Sequence, residues 1–249
     1  MLVSVIVPVF NEEETVAQVL ESLSRVALDL EVVVVDDAST DRTWEILQEL
    51  RQKEPFNAYR YVRHNHNQGK GVGLRTGFGL VSGDLVTVQD ADMEYDPQDI
   101  PLLVHKWESA GNSKSAVYGY RDLSHQKFTT RWGNRFLTLV TNILFGSRIR
   151  DMETCYKLIS GVLARALPME GRRFEIEPEI TACILQAGYQ ILEVPINYKP
   201  RVAKKLNPWK DGWPALAMLL KRRFRKPFQF ASPPASPSQE EKQTTAAHQ

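Results

Sequence analysis

Hydrophobic and polar positions alternate along this chain in blocks. "LVSVIVPVF", residues 2–10, is a β-branched run, and "EETVAQVLESLSRV" follows it with Val16, Val19, Leu20 and Leu23 at helical spacing. The pair then repeats. "EVVVVDD" reads as a second strand and "TDRTWEILQELRQK" as its helix, with Thr40 as the expected N-cap and Trp44, Leu47 and Leu50 as the buried stripe. "AYRYVRH" predicts a third strand, "GKGVGLRTGFGLVSG" a glycine-rich entry into a third helix, and "DLVTVQD" a fourth strand. Strands that read as continuous apolar runs between helices predict an α/β fold, a mostly parallel central sheet with helices on both faces. Beyond residue 97, helices are expected at "DIPLLVHKWESAG", "FTTRWGNRFLTLVTNILFG" and "EIEPEITACILQAG", and strands at "SAVYGYR" and "YQILEVPINYKPR". From Pro227 the composition turns polar and Pro/Ser-rich, so residues 227–249 read as a disordered tail behind a single domain of residues 1–226.

Composition narrows the classes. Apolar content of 43%, charged content of 24% and a formal net charge of +1 are those of a soluble globular protein, with no whole-molecule attraction to nucleic acid. The cations are unevenly placed: Lys199, Arg201, Lys204, Lys205, Lys210, Lys221, Arg222, Arg223, Arg225 and Lys226 crowd the last folded stretch. Such a run is either a solvated face or a surface that meets phosphates or lipid headgroups. Cys155 and Cys183 lie in no metal-binding spacing and read as reduced packing residues of a cytoplasmic chain. Met1 runs straight into a core strand, which leaves no room for a cleavable signal peptide. The apolar run Ala215–Leu220 is far short of the roughly 20 residues a bilayer-spanning helix needs.

The chemistry gathers at strand ends. In parallel α/β sheets, ligands bind beyond the carboxyl ends of the strands. Pro8, Phe10, Asn11 and Glu12 follow the first strand, Asp36 and Asp37 the second, Gly69, Lys70 and Gly71 the third, and Asp90, Ala91 and Asp92 the fourth. Carboxylates crowded at the edge of an apolar core repel one another, and a hard divalent cation, magnesium or manganese, would remove that repulsion while holding a diphosphate. Asp92 and Asp96 could instead simply cap turns before Pro97. "GKGVGLRTG" is neither a P-loop nor a dinucleotide fingerprint, which disfavours a phosphate-loop NTPase and a Rossmann oxidoreductase. A glycine-rich helix start can still take an anion on its amides.

Taken in order, "VIVPVFNEEETV", "VVVVDDASTDRT", "NQGKGVGLRTG" and "VQDADMEYDP" resemble a family 2 glycosyltransferase with the Rossmann-like GT-A fold. Downstream, "YGYRDL", "RWGNRFLTLVTNILFG", "RDMETCYKLI", "FEIEPEITACI" and "ILEVPINYKPR" are similar to the dolichol-phosphate mannosyltransferase and bacterial polyprenyl-phosphate branch. The resemblance implies a nucleotide-sugar half over 1–97 and an acceptor half over 98–212. It assigns Pro8, Phe10, Glu12 and Asp37 to the base and ribose, with Asp36, Lys70 and Ala91 close by. Asp90 and Asp92 would hold the metal, with Glu94 as a third contact. Arg121 and Arg131 would meet the acceptor phosphate, and Arg201 the donor diphosphate. Cys155 stands where relatives commonly have glycine, and Lys204 or Lys205 would close the loop after Arg201 over the donor.

A phosphate monoester has a second pKa near ~6, so it is ionised at neutral pH and needs cations more than a base. Arg121 and Arg131 suit that acceptor, unless Arg131 and Arg135, four apart on one helix, are merely solvated. The expected reaction is an inverting, metal-dependent transfer of one sugar to a polyprenyl phosphate. A polyprenyl acceptor lies in a membrane, and "WPALAMLLKRRFRKPFQF" has the composition of an interfacial helix over 213–226, or else of a terminal helix packed on the sheet. The enzyme would then sit peripherally on the cytoplasmic face, alone, as a homo-oligomer or on a separate membrane subunit. Two rivals remain: a family 2 enzyme glycosylating a soluble hydroxyl, which needs a carboxylate base, and a nucleotide-sugar-binding subunit without catalysis.

Overall fold

The computed structural model describes residues 1–111, 114–201 and 208–228. Seven strands form one sheet in the order β3-β2-β1-β4-β6-β5-β7. The strands are β1 (Val3–Val9), β2 (Leu30–Asp36), β3 (Arg60–Arg63), β4 (Leu85–Val88), β5 (Ser115–Arg121), β6 (Lys157–Ser160) and β7 (Gln190–Ile196). Helices α1 (Val16–Ser24), α2 (Thr43–Leu50) and α4 (Ile100–Ser109) cover one face. On the other lie α3 (Lys70–Phe78), α6 (Gly161–Ala166) and α7 (Ile176–Gln186). The sheet is thus an α/β sandwich with one core on each face.

Alternation along β1 shows how the two cores are divided. Val3, Val5, Val7 and Val9 enter the core shared with α1 and α2, while Ile6 points to the core under α3. That second contact accounts for a glycine in α3. A Cβ on Gly77 would stand 2.3 Å from Ile6 Cγ2, so the helix lies too close to the strand for any side chain there.

The parallel expectation holds for β1, β2, β3 and β4, and for β5 against β7. Strand β6 departs from it, running antiparallel between β4 and β5. The hydrophobic pattern hides this strand because its first residue, the buried Lys157, is charged. Its ammonium reaches Glu177 of α7 and lies 5.3 Å from the Tyr118 ring. The start of the second helix also shifts: α2 begins at Thr43, whose amide donates to Asp41 Oδ1 at 3.0 Å, and Thr40 instead contacts Asn11 through its amide at 2.8 Å. Both cysteines are free and buried.

Helices α5 (Phe128–Phe145) and α8 (Pro208–Phe224) pack on each other and on α7 around Leu137, Met152, Ala182, Ala215 and Leu219. No described helix is long and apolar enough to cross a membrane. Most of the tail, residues 229–249, lies outside the described residues, as do Lys204 and Lys205.

Candidate active site

The C-terminal ends of β1, β2 and β4 open on one edge of the sheet. Among the described residues, non-glycine residues with positive φ are Asn11 at 53°, Ala38 at 59° and Met93 at 59°, one in each turn leaving these three strands. Left-handed backbone is costly for a residue with a side chain, and it gathers where a fold must hold unusual turns. Here the strained turns carry Glu12, Asp37 and Asp92.

Asp36 and Asp37 face inward. The Asp37 carboxylate accepts from the amides of Gln68 at 3.0 and 3.1 Å and Gly69 at 2.7 Å, and meets His64 Nδ1 at 2.8 Å. Those bonds match the four lone-pair sites of a carboxylate. Asp36 accepts from the Ser39 hydroxyl and pairs with Arg63 at 3.1 Å, while burial pushes its carboxyl up. Asp36 therefore braces the turn after β2 against β3, and Asp37 the loop before α3. The amides of that loop are engaged too, since Gly71 donates to the Arg172 carbonyl at 2.9 Å. The glycine-rich start serves close packing here, and the open amide nest for an anion is not formed.

Lys70 opens α3 and answers half of the carboxylate crowding. Its ammonium lies 2.7 Å from Asp90 Oδ1 and 3.1 Å from Glu177 Oε1. Burial opposes its charge, yet the Asp90 and Glu177 carboxylates hold its pKa well above the usual lysine range. Asp92 is different. Burial first, then the charge of Asp90, push its carboxyl up to about 7, against the amide of Glu94 donating at 3.0 Å. An acid held that high by desolvation and a neighbouring carboxylate is where a cation gains most. Two hard-oxygen donors at one turn fit magnesium or manganese. The Glu94 carboxylate, expected as a third metal contact, accepts from the Tyr198 hydroxyl and from the Arg201 amide, the latter at 2.9 Å. No three His, Cys, Asp or Glu side chains among the described residues group to hold a metal.

Arg201 reaches this edge from the far end of the chain. After β7 the backbone crosses the sheet top, pairing Tyr198 with Tyr95 and donating from Lys199 to the Glu94 carbonyl at 2.8 Å. Its guanidinium then contacts the Asp92 carbonyl at 2.8 Å, Glu12 Oε2 at 2.7 Å and Thr15 Oγ1 at 3.0 Å. Pro8 and the partly exposed Phe10 stand at the same strand end. Ala91 is buried, its carbonyl accepting from Thr15 at 2.8 Å.

A second pocket, of about 210 Å³, lies at the end of β5. Arg121, Arg131, Arg135 and Arg150 line it with Asp122, Leu123, Ser124, Asn134 and Asp151, four cations to two acids. Arg121 is fixed by a bidentate pair with Asp151, Nε at 2.7 Å and Nη2 at 2.9 Å, over the Tyr198 ring. Arg131, Arg135 and Arg150 form no ion pair among the described residues. Just beyond Asp151, Glu153 has a buried carboxylate oxygen without a hydrogen-bond partner, and burial pushes the acid up to about 7.

The glycosyl transferase family 2 model matches residues 4–163, from β1 through the start of α6. The chain belongs to that family. A dolichol-phosphate mannosyltransferase of Pyrococcus furiosus is 37% identical over 49% of this chain and 33% of its own length. An undecaprenyl-phosphate 4-deoxy-4-formamido-L-arabinose transferase of Pseudomonas aeruginosa is 34% identical over 60% of this chain and 44% of its own. The chain thus matches less than half the length of either named transferase. An uncharacterised protein of Methanocaldococcus jannaschii is 28% identical over 76% of this chain and 84% of its own. Glucosyl-3-phosphoglycerate synthase of Mycobacterium tuberculosis, in crystals with Mn2+, UDP-glucose and phosphoglyceric acid, superposes with a TM-score of 0.70 at 22% identity, over 89% of this chain and 79% of that one. The GT-A glycosyltransferase fold follows.

Several residues of this family 2 site are silent in the pattern of the sequence. Glu177 sits in a helix buried all round, where an acid reads as an exception until Lys70 and Lys157 are seen beside it. His64, Asp151 and Arg150 act through partners 27 to 43 residues away. The quoted "RDMETCYK" contained Asp151 and Glu153 and was the signal available for both.

Proposed function

We propose that this family 2 enzyme moves one sugar from a nucleotide-sugar to a polyprenyl phosphate, with inversion at the anomeric carbon. The observation that carries the reading is the pocket of four arginines, joined to the turn after β4 through Tyr198, which lies under Arg121 and donates to Glu94, in a chain with relatives named for transfer to lipid phosphates. A monophosphate dianion is its own nucleophile, so the protein has to bind and aim it rather than deprotonate it. Arg121, locked by Asp151, offers its remaining N–H groups, and Arg131 and Arg135 supply charge from one helix. An acceptor phosphate oxygen attacks the anomeric carbon as the bond to the nucleotide diphosphate breaks on the opposite side. The sugar leaves bonded to the lipid phosphate, and the nucleoside diphosphate departs.

Asp90 and Asp92 would hold magnesium or manganese, whose charge stabilises the departing diphosphate. Lys70 holds Asp90 in place, and Arg201 fastens the turn to Glu12. Pro8, Phe10 and Glu12 line the strand end assigned to the nucleoside.

Glu153 favours a second reading, a soluble acceptor whose hydroxyl needs a base. A buried acid with a pKa near neutrality suits that task. Turnover of purified protein with manganese or magnesium separates the two, offering UDP-glucose, GDP-mannose and UDP-N-acetylglucosamine with and without a short-chain polyprenyl phosphate. Lipid-dependent release of one nucleoside diphosphate, retained within a few-fold in Glu153→Gln, is the result expected. Release that ignores the lipid phosphate and disappears in Glu153→Gln overturns the proposal in favour of the hydroxyl acceptor.

A further inference from the structure

Exposed apolar side chains are concentrated on two adjacent helices. Phe128, Trp132, Phe136, Leu139 and Ile143 of α5 are 65%, 60%, 45%, 56% and 71% exposed. At roughly 100° per residue they fall within about 80° of arc, a single stripe. The opposite side of the helix is buried through Asn134, Leu137, Thr138 and Thr141. Arg131 and Arg135 border the stripe along one edge and also line the arginine pocket.

We propose that α5 seats this protein on an anionic lipid surface, its stripe in the interfacial layer and the arginine pocket opening at headgroup level. The inference rests on the lipid-phosphate reading above and deepens it. Three observations choose this occupant and this helix. The guanidinium groups of Arg131 and Arg135 form no ion pair among the described residues, so they complement anionic headgroups beside the apolar stripe. A twofold contact through α5 would set one copy's arginines against the same arginines of the other, which disfavours a second copy of the chain. Helix α8 is the poorer candidate despite its basic sequence. Met218 and Leu219 are buried, Arg222 pairs with Glu179, and Lys221 and Arg225 both pair with Glu170. The apolar side chains that α8 exposes are Trp213, Leu220 and Phe224.

Flotation with vesicles of phosphatidylcholine, with and without phosphatidylglycerol, tests this on the full chain. Two double variants are compared, Leu139→Glu with Ile143→Glu on α5, and Trp213→Glu with Phe224→Glu on α8. All four positions are more than half exposed, so folding is not at stake. The α5 pair is expected to lower binding to phosphatidylglycerol vesicles by about tenfold or more, with turnover of a water-soluble short-chain polyprenyl phosphate unchanged. The α8 pair is expected to change binding by less than about threefold. Unchanged binding in the α5 variant, or loss confined to the α8 variant, overturns the proposal. So does a wild-type dimer in lipid-free sedimentation that the α5 variant converts to monomer. The two readings fail separately. Vesicle binding that depends on α5, without turnover of any polyprenyl phosphate, removes the acceptor reading and leaves the docking surface. Turnover of the short-chain acceptor without vesicle binding does the reverse.

Discussion

At the strand-end edge proposed for the donor, cations are matched by carboxylates: Lys70 lies on Asp90 and Glu177, Arg201 on Glu12, and Arg63 on Asp36. At the pocket after β5 the balance tips the other way. Arg121 is paired with Asp151, while the guanidinium groups of Arg131, Arg135 and Arg150 form no ion pair among the described residues. The strand-end edge is assembled before any ligand arrives, and Asp92 is the acid there that burial and a neighbouring carboxylate push up to about 7. The pocket proposed for the acceptor is left with more arginines than acids, as suits a site whose ligand supplies negative charge. On that proposal, the two anionic substrates are received by different devices.

The sharpest test of that contrast is Asp92→Asn. Turnover should fall by about 10²–10³-fold, the several kcal/mol a metal supplies to a departing diphosphate, while the metal-free protein melts higher. A gain of about 1 kcal/mol would appear as roughly 2–4 °C in a domain of this size, read by calorimetry. An unchanged turnover would remove Asp92 from the donor edge.

Arg121→Met probes the paired cation of the acceptor pocket. It leaves the Asp151 carboxylate buried without its partner, so urea unfolding should show a loss of about 3–5 kcal/mol. Its unpaired neighbours should behave otherwise. Arg131→Ala or Arg135→Ala should cost about 1.5–3 kcal/mol in kcat/KM for a phosphate acceptor, mainly through KM, with unfolding nearly unchanged. Equal stability losses at all three positions would erase the distinction between built-in and waiting arginines.

The donor edge also predicts a pH dependence. A proton competes with the metal for Asp92, whose folded pKa of about 7 lies above its ordinary value of 3.8. Manganese affinity, measured by calorimetric titration, should be at its plateau above pH 7 and weaken about tenfold per unit below it. In the metal-free protein the sign is opposite. The folded state holds the extra proton, so the contribution of Asp92 to stability is best below its unfolded pKa and declines as pH rises toward 7. The smallest effect belongs to α8, where Lys221→Ala removes an exposed pair with Glu170 and should cost about 0.5 kcal/mol or less.

Much of the fold was legible because periodicity reports which side of a segment faces a core. β1, β2 and β4 and helices α1, α4, α5 and α7 stand where the apolar pattern predicts them. The pattern misled where burial is polar. Lys157 hid β6, because a charged residue inside a strand is stable only with a partner from another element, and Glu177 lies 20 residues on. The C-terminal run read as either an interfacial or a packed helix, and α8 turns Met218, Leu219 and Arg222 inward while leaving Trp213 and Phe224 out. The sequence by itself determined the alternating elements, the strand-end acids and the ordered motifs of the family. Tertiary structure alone decided which of those charges are answered from within and which await a ligand. That depends on Coulomb partners and desolvation set by groups far apart in the chain, such as Arg201 on Glu12 or Arg121 on Asp151, which local spacing does not encode.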